Sequence, residues 1–161
     1  MIVKFDKIED ISDGIVKFYS VRLRDNMLTE FEIFDAKDFP NHIEELEIMY
    51  ATINEMKIRG AKPYYFKPEG PANALPKVKQ KIIVANQKDF GLRLYCIRLT
   101  DEVVVLLNGG IKTQRDPKNC PNVKPYFEMA IKIAKVLDKA LVDKEINYQE
   151  IDCLDHFEIE I

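Results

Sequence analysis

The sequence predicts an α+β fold: a small, mostly antiparallel β-meander, two helices ahead of it and one helix after it. Three observations predict this. Residues 15–24 alternate apolar and polar as a half-buried strand does. Residues 41–59 and the stretch after Asn122 repeat their apolar residues at helical spacing. Between them, two apolar runs are separated by only Thr100 and Asp101, which reads as a β-hairpin.

Taken in order, Met1 to Phe5 is a short strand, and Asp13-Gly14 is a turn. In the next strand Ile15, Tyr19, Val21 and Leu23 share one face, while Ser20, Arg22 and Arg24 share the other. Thr29 to Ala36 suits a short helix that turns Phe31 and Phe34 inward. Asn41 with Glu44 three residues later resembles a capping box. Leu46, Met49, Tyr50, Ile53 and Met56 carry the helix onward until Gly60 stops it. Ala61 to Phe66 is extended, and the prolines between Pro68 and Pro76 mark a loop. Strands follow at 81–85, 92–99 and 102–107, the last an unbroken apolar run suited to a central position. Gly109-Gly110 has no phosphate-loop spacing, so a bulge or a close backbone approach is expected there. Asn122 or Lys124 caps the last helix, with Pro125 in its first turn. Its apolar stripe is Phe127, Ala130, Ile131, Ala134, Leu137 and Leu141, opposite a solvated lysine face. The tail alternates over 157–161 as an edge strand would; folding back over a basic surface is the alternative for its acids.

With 161 residues, 47% of them hydrophobic and 32% charged, the chain suits one globular domain and neither a disordered segment nor a membrane protein. The first ten residues carry acids where a signal peptide has its apolar stretch, so a cytoplasmic location is expected. Cys96, Cys120 and Cys153 lack C-x-x-C spacing and are odd in number, which reads as free thiols. His42 and His156 stand far apart, so no metal site and no cofactor are expected.

The net charge of −3 is unevenly distributed. Residues 57–118 hold thirteen Lys and Arg against five Asp and Glu, and the rest hold eleven against twenty-two. A basic middle third between acidic ends suits a polyanionic partner.

The stretch Gly91-Leu-Arg-Leu-Tyr-Cys-Ile-Arg-Leu-Thr-Asp-Glu-Val-Val-Val-Leu-Leu-Asn-Gly-Gly-Ile-Lys-Thr-Gln-Arg-Asp-Pro117 resembles the RelE/HigB-like toxins of toxin–antitoxin systems. Those proteins have an arginine early in one strand, an apolar next strand, a glycine-containing turn with a basic K-T-Q-like segment and a proline, and then a helix. The resemblance covers about residues 15–143, leaving 1–14 as an extra N-terminal strand region and 144–161 as an acidic tail. It implies a RelE-like fold and a metal-independent endoribonuclease that cuts mRNA on the ribosome. It also implies an antitoxin protein as partner, covering the basic face.

Metal-free RNA cleavage needs a base for the 2′-hydroxyl, cations for the phosphorane and an acid for the leaving oxygen. On the resemblance, Arg93 and Arg115 hold phosphate, Lys112 stabilises charge, and Lys81 or Lys79 stands near the 2′-hydroxyl. Tyr95, two residues after Arg93, shares its face; Arg98 and Lys118 complete the RNA-binding set. Where the family often has a tyrosine or histidine after the basic turn, this chain has Pro117, Lys118, Asn119 and Cys120. That departure leaves the acid or base unassigned and favours an alternative, a non-catalytic RelE-fold module that binds RNA or a protein.

Overall fold

The computed structural model describes residues 1–77, 90–150 and 152–161. The fold is α+β, with a seven-stranded, mostly antiparallel sheet and three α-helices. The strands are β1 (Ile2–Lys7), β2 (Lys17–Leu23), β3 (Lys67–Glu69), β4 (Ala72–Leu75), β5 (Leu92–Arg98), β6 (Val103–Ile111) and β7 (Glu158–Glu160). The helices are α1 (Glu30–Asp35), α2 (Ile43–Arg59) and α3 (Lys124–Val142). The sheet order is β3-β4-β5-β6-β2-β1-β7, with β2 and β6 parallel and every other neighbouring pair antiparallel. The predicted strand at 81–85 lies outside the described residues.

Strand alternation sorts the side chains into two cores. Phe18, Leu92, Leu94, Cys96, Val104 and Leu106 face α1 and α2, where they meet Phe31, Phe34, Met49, Ile53 and Met56. Tyr19, Val21, Tyr95, Ile97, Val103, Val105 and Leu107 face α3, meeting Ala130, Ile133, Ala134 and Leu137. The unbroken run Val103–Leu107 thus belongs to a central strand covered on both sides, which is why it lacks alternation. The buried stripe of α3 is rotated from the predicted one: Ile133 and Ala140 are buried, while Leu141 is exposed.

The helix caps differ from expectation. Asn41 and Glu44 do not form a capping box; a 3-10 turn at Pro40–His42 leads straight into α2, and His42 at its N-cap makes no side-chain cap bond. The capping box is on α1, where the Thr29 side chain accepts from the Glu32 N–H and Glu32 reaches back to the Thr29 N–H. Acids Glu44 and Glu45 in the first turn of α2, and Lys57 and Arg59 in its last, complement the helix dipole instead. Neither Asn122 nor Lys124 caps α3; Val123 holds the N-cap place without a side-chain bond, and Pro125 sits in the first turn.

The acidic tail completes the sheet at the edge away from the basic residues. β7 pairs with β1, and Ile146, Leu154 and Ile159 are buried in the α3-side core. Lys7 donates to Asp152 at 2.9 Å, and the Tyr19 hydroxyl donates to Asp155 at 2.5 Å. Four strand spacings, roughly 19 Å, separate β7 from β5. Folding back over the basic surface is therefore not the tail's arrangement.

Candidate functional site: a buried cation cluster

The α3-facing side of the sheet is apolar until its β3–β6 end, where charged groups replace it. Arg93 stands first in the alternation Arg93, Tyr95, Ile97 that points toward α3. On β6, Val103, Val105 and Leu107 point the same way, so an uninterrupted strand would turn Ile111, and not Lys112, toward Arg93. A β-bulge intervenes. Leu94 pairs with Gly109 and Cys96 with Leu106, so β6 spends one extra residue opposite Tyr95. The face inverts beyond it: Ile111 packs on the α1/α2 side, and Lys112 joins Arg93.

Two groups of interactions hold the bulge. Gly109 approaches β5 so closely that a Cβ would lie 1.8 Å from the Arg93 carbonyl oxygen. Lys37 Nζ donates to Asn108 Oδ1 at 2.8 Å, to the Gly109 carbonyl at 2.9 Å and to the Tyr126 hydroxyl at 3.0 Å. Asn108 in turn donates to Glu30 at 2.7 Å. Tyr126 is thereby committed to Lys37 rather than to the cation cluster.

The cluster consists of Lys67 and Glu69 on β3, Arg93 and Tyr95 on β5, and Lys112 just past β6. Arg93 is 7% exposed, Lys112 6% and Tyr95 not at all. Lys67 Nζ lies 3.9 Å from Glu69 Oε1. Arg93 Nη1 donates to the Leu92 carbonyl at 2.8 Å, but its Nε has no hydrogen bond. Glu69 Oε1 and the Tyr95 hydroxyl are also buried without a hydrogen bond. A buried polar group without a partner costs about 1–3 kcal/mol. Three such atoms, drawn from three side chains on one face of the sheet, make this the candidate site.

Electrostatics describe the same place. Burial lowers the Lys112 pKa, and the Arg93 charge lowers it further, with Glu69, Asp116 and Cys120 partly offsetting both. Burial likewise lowers that of Lys67, with Arg93 and Lys112 adding to it against Glu69. Burial drives the Tyr95 phenol well above its ordinary value, and the Glu69 charge adds to this. Its ring packs edge-on to Phe127, with centroids 5.8 Å apart. Behind Lys112, Cys120 is buried where burial would raise its pKa. Hydrogen bonding with the Thr113 hydroxyl and with the backbone of Thr113, Asn122 and Val123 outweighs this and lowers it overall. The group is cation-rich, short of anionic charge, and contains one carboxylate: it can hold a phosphate-like anion and move a proton beside it.

Of the residues expected from sequence, the structure brings Arg93, Tyr95 and Lys112 together. Arg115 and Lys118 are exposed on the segment between β6 and α3. Arg98 is not at the cluster. It lies at the opposite end of β5, where it donates to the Ala61 carbonyl at 2.6 Å and pairs with Asp101. Lys79 and Lys81 lie outside the described residues. Lys67 and Glu69 were not expected, because three prolines made 68–76 read as a loop. Pro68 in fact occupies edge strand β3, a place proline tolerates. The signal available was Lys67-Pro-Glu69 itself, two charges at strand spacing.

Among the described residues, no group of three or more His, Cys, Asp or Glu is placed to hold a metal ion. No described helix is long and apolar enough to cross a membrane. A cleft of about 580 Å³ at the β1 edge is lined by Asp6, Glu9, Asp10, Glu32 and Asp155 with Lys7 and His156, and its charge is opposite to the cluster's. Compared with known proteins, the chain matches no family model, no curated protein and no solved structure.

Proposed function

We propose that this protein is a RelE/HigB-like toxin, a metal-independent endoribonuclease that cuts mRNA on the ribosome and is neutralised by an antitoxin. The observation that carries this reading is the convergence of Lys67, Arg93 and Lys112 on one sheet face, with three buried polar atoms among their neighbours and themselves that make no hydrogen bond. Such a group suits a phosphodiester, whose charge rises in the phosphorane and rewards fixed cations. Arg93 holds the scissile phosphate through its planar fork. Lys112 stabilises the developing charge. Arg115 and Lys118, exposed beside the cluster, hold flanking phosphates, and Lys79 and Lys81 belong to the same basic middle third of the chain.

A second reading, a non-catalytic module binding RNA or a protein, is favoured by one observation. Arg93 and Lys112 are each less than a tenth exposed, so a polymer backbone reaches them only after side chains around them move. Expression in bacteria separates the two. Under the toxin reading, induced protein arrests growth and creates new codon-phased mRNA 5′ ends, and the Arg93→Ala/Lys112→Ala variant at matched expression does neither. Normal growth with intact mRNA under induction would refute the toxin reading and leave the binding module.

A further inference from the structure

Resting on the nuclease reading, we propose that Glu69 is the general base that takes the proton from the 2′-hydroxyl, with Lys112 as the acid that serves the leaving oxygen. Directly after its basic segment the chain has Pro117, Lys118, Asn119 and Cys120 where a tyrosine or histidine would stand, so these two roles are filled from elsewhere.

Three observations select Glu69. Its Oε1 is buried without a hydrogen bond, so a lone pair is free to accept a proton. The Lys67 ammonium stands 3.9 Å from that oxygen, an ion pair that holds the carboxylate in place. Glu69 lies on β3 opposite Ala72, which belongs to the α3-side core, so it is on the same sheet face as Tyr95. The competing groups are less suited. Among the described residues, Tyr95 has its phenol held protonated, and Asp116 is exposed on the segment beyond. Lys112, buried beside Arg93, gives up its proton more readily than an ordinary lysine, which suits an acid.

The step balances without a co-reactant. The 2′-hydroxyl proton passes to Glu69 Oε1 as the 2′-oxygen forms its bond to phosphorus. The bond from phosphorus to the 5′-oxygen breaks, and that oxygen takes a proton from the Lys112 ammonium. The products are a 2′,3′-cyclic phosphate and a 5′-hydroxyl. The proton on Glu69 then returns to Lys112 through solvent.

The test measures single-turnover cleavage of a ribosome-bound mRNA against pH. It uses the full chain, Glu69→Gln, Glu69→Asp, and Lys132→Ala as a surface-charge control. The wild-type rate should show an acid limb, falling at low pH as the base loses its function. Glu69→Gln should lose about 10²-fold or more of the rate and this acid limb, yet bind RNA as tightly as wild type. Glu69→Asp should recover part of the rate together with the limb. A wild-type profile with no acid limb would overturn the assignment, and this arm depends on no variant folding. A Glu69→Gln rate within threefold of wild type would overturn it too; if Arg93→Ala is then inactive, the nuclease reading survives alone. Wild-type protein that leaves the RNA intact would overturn both.

Discussion

Replacing Gly109 with alanine tests whether the bulge builds the site. A Cβ at this position would lie 1.8 Å from the Arg93 carbonyl oxygen, 2.8 Å from its carbon and 3.0 Å from the Leu94 Cα, all of them backbone atoms. No rotamer change relieves that overlap; β5 and β6 must separate by roughly 1.6 Å to restore an ordinary contact. Overpacking of this kind costs about 1–3 kcal/mol. The hydrogen bonds around the bulge, each worth about 1 kcal/mol net, are lost or lengthened as well. Together they predict a loss of about 3–5 kcal/mol, a large share of a typical domain's 5–15. Thermal unfolding should fall by roughly 10 °C. The control is Gly70→Ala. Gly70 has φ +62, and its added Cβ would meet only the end of Ile131, at 3.5 Å. Its cost is the left-handed backbone alone, about 1 kcal/mol. Urea titration followed by circular dichroism measures both. Should Gly109→Ala unfold within 1 kcal/mol of wild type, or no earlier than Gly70→Ala, the close approach and the bulge argument built on it would be refuted.

Other consequences follow from the same geometry. Inorganic phosphate should raise the melting temperature, by an amount worth about 1.4 kcal/mol at tenfold its dissociation constant, and the rise should vanish in Arg93→Ala. Lys67 and Lys112 have folded pKa values below the unfolded value of about 10.4. Between the folded and unfolded values the unfolded chain therefore binds more protons, so their contribution to stability improves as pH rises through that window. Below it their full penalty remains, and an Arg93→Gln variant should show a smaller alkaline gain by urea titration. Truncation after Lys144 removes buried Ile146, Leu154 and Ile159 and should cost about 5 kcal/mol or more. A mild shift on truncation, or a change in RNA affinity in a truncated chain that stays folded, would contradict the tail's placement at the β1 edge.

What was legible in the sequence follows the range of the interactions concerned. α2 was readable because its signals are local: Met49, Ile53 and Met56 recur at helical spacing, and Gly60, with φ +94, ends it. The β5–β6 hairpin was readable for the same reason. The parallel pairing of β2 with β6 was not, since it joins residues more than eighty apart and leaves no local trace. In the site, Arg93 and Tyr95 share a face by simple alternation. Lys112 joins them only because the bulge inverts the count. The glycines at 109 and 110 announced an irregularity, but not how many residues it would absorb. Lys67 and Glu69 were hidden by Pro68 and Pro71, since prolines argue for a loop unless the strand is known to lie at an edge. The expected cap at Asn41 failed because Pro40–His42 form a turn of their own, whereas Thr29 and Glu32 satisfy the same pattern one helix earlier.

Whether the Lys67, Arg93 and Lys112 cluster cuts RNA, as we propose, can be measured directly. The most direct measurement incubates the purified protein with ribosomes carrying an end-labelled mRNA, beside Arg93→Ala/Lys112→Ala and beside an mRNA with a 2′-deoxynucleotide at the cleaved position. Wild type should cleave and leave a 2′,3′-cyclic phosphate, the variant should not cleave, and no cut should occur at the deoxy position. Cleavage that persists in the variant, or an mRNA left intact by the wild-type protein, would contradict the proposal.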